Sequence, residues 1–492
     1  MIKVTEKDAV NIKVDTDDIS VLQEISDFFT FEVPGAKFMP AYRSRMWDGK
    51  ARLFNMYAKE LPYGLLEYLK EFCEQLEYKL KIDLPTHGDL VSEQYVKKFA
   101  DELNLHSKGQ KIEIRDYQLD AVKHGIEGSR TLLLSPTASG KSLIIYTLMR
   151  YYQNKHKQQL IIVPTTSLVE QMFGDFQDYA SEVDWQATAN CHRIYGGKEK
   201  SNEFPVTIST WQSIYKFPKS WFEKFDVIYG DEAHLFKAKS LTSIMNKCNT
   251  APYRFGTTGT LDGTKTHRLV LEGCFGPVYK VTTTKKLMDA GDLAHLNVTC
   301  LLLNYPDEEK KKVVKYTYQE EMDYLVSNET RNKILTNLSI TQKGNTLVLF
   351  QYVEKHGKIL FERIKNKVKE GREIYFVYGG TDAEQREQIR ALTETKNDAI
   401  IVASYGTFST GINIRNLHNV IFASPSKSRI RNLQSIGRGL RKGDKKVNCN
   451  LFDVGDDLSW KSKKNYTLTH MVERIKLYNE EGFKYKMVKL DT

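Results

Sequence analysis

Residues 132–145 read Leu-Leu-Leu-Ser-Pro-Thr-Ala-Ser-Gly-Lys-Ser-Leu-Ile-Ile. An apolar run ends in a turn of small residues and then resumes, which predicts a buried strand, a tight loop and a helix. Such a loop directs backbone N–H groups and a helix N-terminus at an anion. We therefore predict a nucleotide-phosphate site built from the residues Ser135, Pro136, Thr137, Ala138, Ser139, Gly140, Lys141 and Ser142.

Two side chains of this loop have separate predicted roles. Lys141 brings a positive charge to the β- and γ-phosphates, and the Ser142 hydroxyl is an oxygen ligand for Mg²⁺. The loop departs from the usual pattern, because Ser135 stands at the first glycine position and Ala138 at another position often held by glycine. A plain strand–turn–helix corner is the alternative interpretation of this stretch taken alone.

A pair of carboxylates follows another apolar run. Asp231-Glu232-Ala233-His234 comes directly after residues 225–229, so the acids are expected at the carboxyl end of a strand, where open α/β sheets bind ligands. We predict that Asp231 holds Mg²⁺ and that Glu232 orients and deprotonates an attacking water. The alternative is a solvated acidic turn.

The pattern around these motifs predicts two similar α/β units in tandem. Buried parallel strands are predicted at 131–134, 160–163, 206–209 and 227–230, and again at 346–350, 374–377, 399–403 and 420–423. We predict an accessory α+β domain over 1–105, parallel-sheet domains over 106–285 and 286–455, and a helical extension over 456–492. The polar stretch 106–111 is predicted as a linker.

Bulk properties narrow the class of protein. The 492 residues suggest about three domains, and the formal charge of +10 favours a polyanionic partner. The six cysteines have no metal-binding spacing, which indicates reduced thiols. No apolar run approaches the roughly 18 residues of a membrane span, and no signal-peptide core is visible, so we expect a soluble cytoplasmic protein without membrane contact.

Near the end of the second unit, residues 434–441 read Gln-Ser-Ile-Gly-Arg-Gly-Leu-Arg. Arg438 and Arg441 are three residues apart, so they share one face of a predicted helix. Guanidinium groups suit a transferring phosphoryl group, whose charge is spread over several oxygens. We predict an arginine finger that makes hydrolysis depend on closure of the two units, although arginine on a basic protein is more often a surface residue.

Taken in order, these motifs resemble those of superfamily 2 helicases and translocases over residues 112–455. The resemblance implies two tandem RecA-like domains that bind ATP with Mg²⁺ and move along nucleic acid. It assigns adenine recognition to Arg115 and Gln118, and it adds Gln434 and Gly411 to the nucleotide site. It also implies strand contacts by the residues Thr165, Thr210, Gln212, Gln351, Tyr352, Gly379, Ser404 and Thr407. The stretch 257–260, Thr-Thr-Gly-Thr, resembles the motif that couples the two activities.

Within the superfamily the whole chain is most similar to the recombination helicases of T-even phages. That resemblance implies ATP-driven branch migration and unwinding of forks, Holliday junctions and R-loops in an infected host cell. The expected partner is branched DNA or an RNA–DNA hybrid, and a monomer is expected. A double-strand translocase or an RNA helicase is the alternative within the class, and an ATP-gated nucleic-acid clamp is the alternative outside it.

The accessory domain contains a hairpin-like stretch. Asp48-Gly49 lies between two apolar-containing runs, so we predict a two-residue turn that places Arg45 opposite Arg52. Like charges in that position are destabilising unless an anion lies between them. Arg45, Trp47 and Arg52 are therefore predicted to contact phosphate and an exposed base. The alternative is a core tryptophan with solvated arginines.

Overall fold

A computed structural model describes residues 1–196, 203–411, 414, 416–426, 428–440 and 448–492, without the side chains of 237, 383, 409–411, 430 and 438. It divides into two compact units. The first comprises Met1–Ser135 and Ser139–Thr282, and the second comprises Pro136–Ala138 and Thr283–Thr492.

The first unit begins with a small α+β domain. Its strands are β1 (Ile2–Glu6), β2 (Asn11–Asp15), β3 (Thr30–Glu32), β4 (Lys50–Arg52), β5 (Glu60–Pro62) and β6 (Leu80–Asp83). Its helices are α1 (Ile19–Phe28), α2 (Pro40–Arg43) and α3 (Leu66–Gln75), with 3₁₀ turns at Ala36–Phe38 and Tyr63–Leu65. Four strands form a sheet in the order β5-β2-β1-β6, and β3 pairs with β4 as a separate two-stranded ribbon. Alternating apolar residues of β1 and β2 face α1 and α3, which bury the core.

A parallel sheet with helices on its faces follows in the same unit. Its helices are α4 (Glu93–Glu102), α5 (Asp116–Gly128), α6 (Lys141–Asn154), α7 (Thr166–Tyr179), α8 (Ala187–Asn190), α9 (Trp211–Ile214), α10 (Lys219–Phe222), α11 (Lys239–Lys247) and α12 (Lys265–Phe275). A separate two-stranded hairpin, β7 (His106–Ser107) and β8 (Gln110–Lys111), precedes the sheet. The strands of the sheet are β9 (Arg130–Leu134), β10 (Gln159–Val163), β11 (Cys191–Ile194), β12 (Val206–Thr210), β13 (Val227–Asp231), β14 (Tyr253–Thr258) and β15 (Val278–Lys280). Among the described residues the sheet order is β11-β12-β10-β13-β14-β9-β15.

The second unit repeats this architecture. Its helices are α13 (Thr284–Asp289), α14 (Asp307–Val313), α15 (Tyr318–Ser327), α16 (Glu329–Thr341), α17 (Lys358–Lys367), α18 (Ala383–Thr395), α19 (Tyr405–Gly411), α20 (Arg429–Gly439) and α21 (Tyr466–Glu481). Its strands are β16 (His295–Asn304), β17 (Thr346–Phe350), β18 (Ile374–Val377), β19 (Ile400–Ser404), β20 (Asn419–Phe422), β21 (Asn448–Asp457) and β22 (Tyr485–Asp491). In the described part of the chain they form a parallel sheet in the order β18-β19-β17-β20-β21-β16-β22.

The predicted tandem of parallel sheets is thus confirmed, because each predicted strand coincides with an observed one to within a residue or so. The C-terminal extension forms the predicted helix α21. It also supplies β22, which pairs with β16 at the sheet edge and which the sequence pattern did not indicate. The polar stretch 106–111 is a short hairpin, β7–β8, whose Ser107 hydroxyl and Lys108 N–H donate to Asp178 at the end of α7.

The predicted hairpin over 43–54 is wrong. Arg43 ends helix α2, and Arg45 has a left-handed backbone with φ of 58°, which ends any strand there. Strand β4 pairs instead with β3, which places Arg52 opposite Thr30. Arg45 therefore does not lie opposite Arg52 in a strand pair, and Arg52 instead forms an ion pair with Asp48 at 2.5 Å. Contacts of Arg45, Trp47 and Arg52 with nucleic acid stay a prediction.

The accessory domain is docked on helix α12 by buried contacts. The Tyr68 hydroxyl donates to Glu272 at 2.6 Å, and the Arg130 guanidinium lies 4.0 Å from the centre of the Tyr63 ring. Leu269 of α12 belongs to the core of the accessory domain. A Cβ at Gly64 would lie 1.8 Å from the carbonyl oxygen of Glu272, so the two backbones are in direct contact.

All six cysteines are buried. Burial raises the pKa of Cys73 and Cys274 to about 11 and that of Cys191, Cys248 and Cys300 to about 12. Within the described parts of the chain, none of the helices combines the length and the apolar character needed to cross a lipid bilayer.

Candidate nucleotide and nucleic-acid site

The predicted phosphate loop connects β9 to α6. The Ser135 and Ser139 hydroxyls are fully buried and lie 2.5 Å apart. Ser135, which stands at the usual glycine position, therefore forms a hydrogen bond across the inside of the loop. Ala138 and Gly140 have φ of 65° and 80°. Left-handed residues in a loop of this kind are typical of the backbone N–H nests that bind anions. The Lys141 ammonium donates to the Ser135 carbonyl at 3.3 Å, so it lies over the loop. Pro136 and Thr137 lie between the two serines in the chain.

Gln118 is bound to the phosphate loop. Its amide donates to the Ser139 carbonyl at 2.8 Å and accepts the Arg115 N–H at 2.9 Å, which caps helix α5. A Cβ at Gly140 would lie 2.2 Å from the Gln118 amide nitrogen, so the glycine is required by this contact as well as by its φ. Adenine recognition by Gln118 and Arg115 stays a prediction.

The acidic pair lies at the carboxyl end of β13, as predicted. Asp231 is buried and accepts the Thr257 hydroxyl at 2.8 Å, since the two residues are paired across β13 and β14. Burial and the adjacent Glu232 carboxylate raise the pKa of Asp231, and the Lys141 charge opposes that rise. Glu232 has φ of 50°, a conformation that side chains rarely adopt, so its carboxylate is aimed by a strained turn.

His234 joins the acids to the neighbouring strand. Its Nδ1 lies 3.3 Å from the Glu232 carboxylate and 3.1 Å from the Thr258 hydroxyl. His267 of α12 reaches the His234 carbonyl through Nε2 at 3.0 Å, and its Nδ1 lies 2.9 Å from Asp262. His267 was not identified from the sequence, because its partner is distant in the chain and no motif contains it.

The donor set near the loop suits Mg²⁺. The ion prefers oxygen ligands and keeps several waters, so one carboxylate, one hydroxyl and the phosphates are enough. Asp231 supplies a carboxylate held from the other side by Thr257, and Ser142 supplies the hydroxyl, which lies 2.9 Å from the Tyr179 hydroxyl. Among the described residues, no group of three or more His, Cys, Asp or Glu side chains is placed to hold a metal ion.

The residues of the first unit that are predicted to contact a nucleic-acid strand also lie at the carboxyl end of this sheet. Thr165 follows β10 and caps α7 by accepting the Leu168 N–H at 3.3 Å. Thr210 ends β12, the strand next to β10, and its hydroxyl lies 2.9 Å from that of Ser213. Gln212 donates to the Pro164 carbonyl at 3.3 Å, so the two predicted motifs touch. Their contacts with nucleic acid stay a prediction.

In the second unit the corresponding residues also follow strand ends. Gln351 and Tyr352 come after β17, and Gly379 follows β18 as an exposed residue. The Ser404 hydroxyl at the end of β19 lies 2.8 Å from that of Thr407. The sequence did not identify Ser424, whose hydroxyl accepts the Gln351 N–H at 3.1 Å and lies 3.0 Å from Nδ1 of His356.

The predicted arginine helix is α20. Gln434 is half-buried on it, and the backbone of Arg438 lies within it, although its side chain is not described. Arg441 lies outside the described residues. Gly411 ends α19, and the motif residues 412 and 413 after it lie outside the described residues.

A buried ion pair supports the loop before α20 and was not identified from the sequence. Arg474 of α21 and Asp453 of β21, both almost fully buried, make a bidentate contact at 2.7–3.0 Å. The Tyr478 hydroxyl also donates to Asp453, at 2.7 Å. Arg474 then donates to the Ser426 carbonyl at 3.0 Å, and the Asn432 amide of α20 donates to the same oxygen at 3.2 Å. The C-terminal helix therefore fixes the position of the arginine helix.

Comparisons with known proteins agree with this geometry. Residues 1–83 match the family described as DNA helicase UvsW, N-terminal, residues 111–263 match the type III restriction enzyme res subunit, and residues 329–443 match the helicase conserved C-terminal domain. These matches and the paired parallel sheets define a superfamily 2 helicase.

Relatives specify the family further. The chain is 39% identical to the ATP-dependent DNA helicase UvsW of Enterobacteria phage T4 over 99% of both chains. The crystal structure of T4 UvsW covers 100% of this chain and 99% of its own, at 35% identity and a TM-score of 0.53. A DNA 3'-5' translocase, XPB2, of Sulfurisphaera tokodaii is 25% identical over 68% of this chain and 80% of its own. The chain belongs to the UvsW family.

Proposed function

We propose that this protein is an ATP-dependent DNA helicase that acts on branched DNA. The observation that carries the proposal is the set of side-chain contacts at the carboxyl end of the first sheet. Asp231 accepts the Thr257 hydroxyl, and Nδ1 of His234 lies 3.3 Å from the Glu232 carboxylate and 3.1 Å from the Thr258 hydroxyl, beside the strand ends that carry Thr165 and Thr210. ATP chemistry and strand contact therefore share one rigid edge.

The residues of this edge divide the work of hydrolysis. The loop N–H groups and Lys141 bind the phosphates, and Glu232 accepts the proton of the attacking water. Asp231 and Ser142 would hold Mg²⁺, which neutralises phosphate charge when bound. Arg438 and Arg441 are proposed to stabilise the charge of the transferring phosphoryl group, with Gln434 orienting the same region.

Support for DNA as the substrate comes from the relatives. T4 UvsW, which is similar over nearly its whole length, is described as an ATP-dependent DNA helicase, and the match includes the accessory domain. We propose forks, Holliday junctions and R-loops as substrates, a monomer as the active form and the cytoplasm of an infected host as the location. Phosphate contacts through hydroxyls predict binding that depends on structure and hardly on base sequence.

The test is an ATPase assay with single strands, duplex, forks, four-way junctions and R-loops in turn, followed by unwinding on each. Lys141→Ala is the control for the nucleotide site. It should reduce turnover to background while the thermal melting curve stays unchanged, because Lys141 lies over the loop and outside the core. Unchanged turnover in the folded variant would remove the ATPase assignment.

A double-strand translocase is the second candidate, and the similarity to the S. tokodaii protein, which is described as a DNA 3'-5' translocase, supports translocation on DNA. It would hydrolyse ATP on plain duplex and displace a bound triplex-forming strand without separating forks. An RNA helicase would require RNA for stimulation. An ATP-gated clamp would bind DNA on ATP addition without repeated turnover.

A further inference from the structure

The accessory domain carries an exposed apolar surface at the end of the β3–β4 ribbon. Residues 33–49, here called the tip, contain the 3₁₀ turn Ala36–Phe38 and helix α2. Two large apolar side chains of the tip are exposed to solvent: Phe38 at 78% and Met46 at 85%. Met39 between them is exposed at 42%. Because three exposed apolar side chains occur within this one short segment, we consider the tip a candidate binding surface.

Internal contacts hold the tip together, although its apolar side chains are exposed. The Trp47 indole donates to the Lys50 carbonyl at 2.8 Å, and Asp48 is paired with Arg52 at 2.5 Å. Gly49 lies against Tyr42, since a Cβ there would be 3.0 Å from the tyrosine ring. Trp47 and Arg52, predicted from the sequence to contact nucleic acid, thus hold the tip together.

The charge of the tip identifies the occupant. Lys37, Arg43 and Arg45 are exposed around Phe38 and Met46 in the sequence. The only acidic residue within 33–49 is Asp48, whose charge is matched by Arg52. An apolar group surrounded by cations suits the unpaired or partly unstacked bases of DNA, whose faces are apolar and whose backbone is anionic.

The position of the tip agrees with that occupant. The base of the ribbon is anchored at the start of α12, where the Thr266 hydroxyl donates to the Glu32 carbonyl at 3.4 Å. The Lys265 ammonium lies 5.1 Å from the centre of the Phe31 ring. His267 of α12 lies 3.0 Å from the His234 carbonyl, just after the carboxyl end of β13, so the ribbon is attached near the end of the sheet at which Thr165 and Thr210 lie.

We propose that Phe38 and Met46 form an apolar wedge that contacts the bases at a DNA branch point, while Lys37, Arg43 and Arg45 contact the flanking phosphates. The inference rests on the proposed function and adds the residues that recognise the branch. Side chains that insert between bases elsewhere are likewise Phe, Met, Leu and Ile flanked by cations.

The experiment uses the full chain and a fork with 2-aminopurine at the branch point, whose fluorescence rises when the base is unstacked. The variants are the double substitution Phe38→Ser with Met46→Ser, the conservative Phe38→Trp, and Leu90→Ser as a matched control. Leu90 is as exposed as the tip residues, at 97%, and lies outside the ribbon. Thermal melting of each variant verifies folding.

The parent, Phe38→Trp and Leu90→Ser should raise the fluorescence and unwind the fork, whereas the double variant should lose the rise and unwind about fivefold or more slowly. The wedge is overturned if the double variant matches the parent in both signals, which would make the tip a protein-binding surface. It is also overturned if Leu90→Ser loses as much. A parent chain that unwinds no branched substrate would instead refute the proposed function.

Discussion

Glu232 combines a chemical role with an unusual backbone. Its φ of 50° places the carboxylate near His234 rather than in solvent. Such a conformation costs about 1–3 kcal/mol and persists only where the surroundings enforce it. The strain therefore indicates that the direction of this side chain matters more than local stability.

Glu232→Gln tests that role. The amide keeps the shape and backbone but cannot accept a proton, while Asp231 and Lys141 are untouched. ATP affinity should be retained, and phosphate release should fall by about 10²-fold or more. Binding of a fluorescent ATP analogue and phosphate release are measured side by side. Lost nucleotide affinity would contradict the division of roles between the two acids.

Tyr179 acts on the nucleotide site through Ser142. Its hydroxyl lies 2.9 Å from that of Ser142, and its ring packs against Tyr146, so Tyr179→Phe removes the hydrogen bond and keeps the packing. One lost hydrogen bond is worth about 1 kcal/mol, or roughly fivefold in affinity. We expect that weakening in nucleotide binding titrated against Mg²⁺, and little change when Mg²⁺ is replaced by EDTA.

Tyr151→Phe is the matched control, since its hydroxyl donates to Asp89 at 2.8 Å, away from the phosphate loop. Equal effects of both substitutions on Mg²⁺-dependent binding would show that Tyr179 acts only on general stability.

At the scale of elements, the sequence predicted what depends on local pattern. Strands such as β9 and β17 are mainly apolar and buried on both faces. The phosphate loop follows β9 directly, and Asp231 ends β13, another buried strand. Contacts between distant residues could not be predicted. Strand β4 pairs with β3 and not with the residues just before it in the chain. Strand β22 pairs with β16, which is nearly two hundred residues earlier in the sequence.

The same limit applies to buried charges. An arginine in an amphipathic helix is expected on the surface. Arg474 is nevertheless buried, because its charge is paired with the buried carboxylate of Asp453 in β21. Only the tertiary fold brings these two together. The sequence therefore predicted a helix in the C-terminal extension without the residue that fixes it.

Arg474→Met should show how much α21 depends on this pair. It leaves Asp453 buried without its cation, which costs about 3–5 kcal/mol. We expect a clear fall in the melting temperature of the full chain. Lys476→Met on the same helix breaks only the exposed pair with Glu473, worth about 0–1 kcal/mol, and is the control. A variant Arg474→Met as stable as this control would contradict the argument.

At the scale of the whole molecule, the accessory domain is part of the first unit because it shares a core with α12. Gly64→Ala tests this docking. The added methyl group would overlap the Glu272 carbonyl, which is backbone and cannot rotate away. We expect faster hydrogen exchange in α12 and earlier proteolysis between the accessory domain and the sheet.

Gly174→Ala is the control for that substitution. It lies in α7 with no atom near its added methyl group, so it should be neutral or stabilising by about 0.5–1 kcal/mol. Unchanged exchange in α12 of the Gly64 variant would mean that the docking surface adapts without cost.

The burial of every cysteine has a practical consequence for spectroscopy. Maleimide dyes react with thiolates, and thiols with a pKa of about 11 or 12 hold almost none at neutral pH. The natural cysteines should therefore react little with the dye. A cysteine introduced at the exposed position of Leu90 would be labelled selectively while all six natural cysteines stay in place. Fluorophores can thus report on this motor in single-molecule recordings without a cysteine-free version having to be built first.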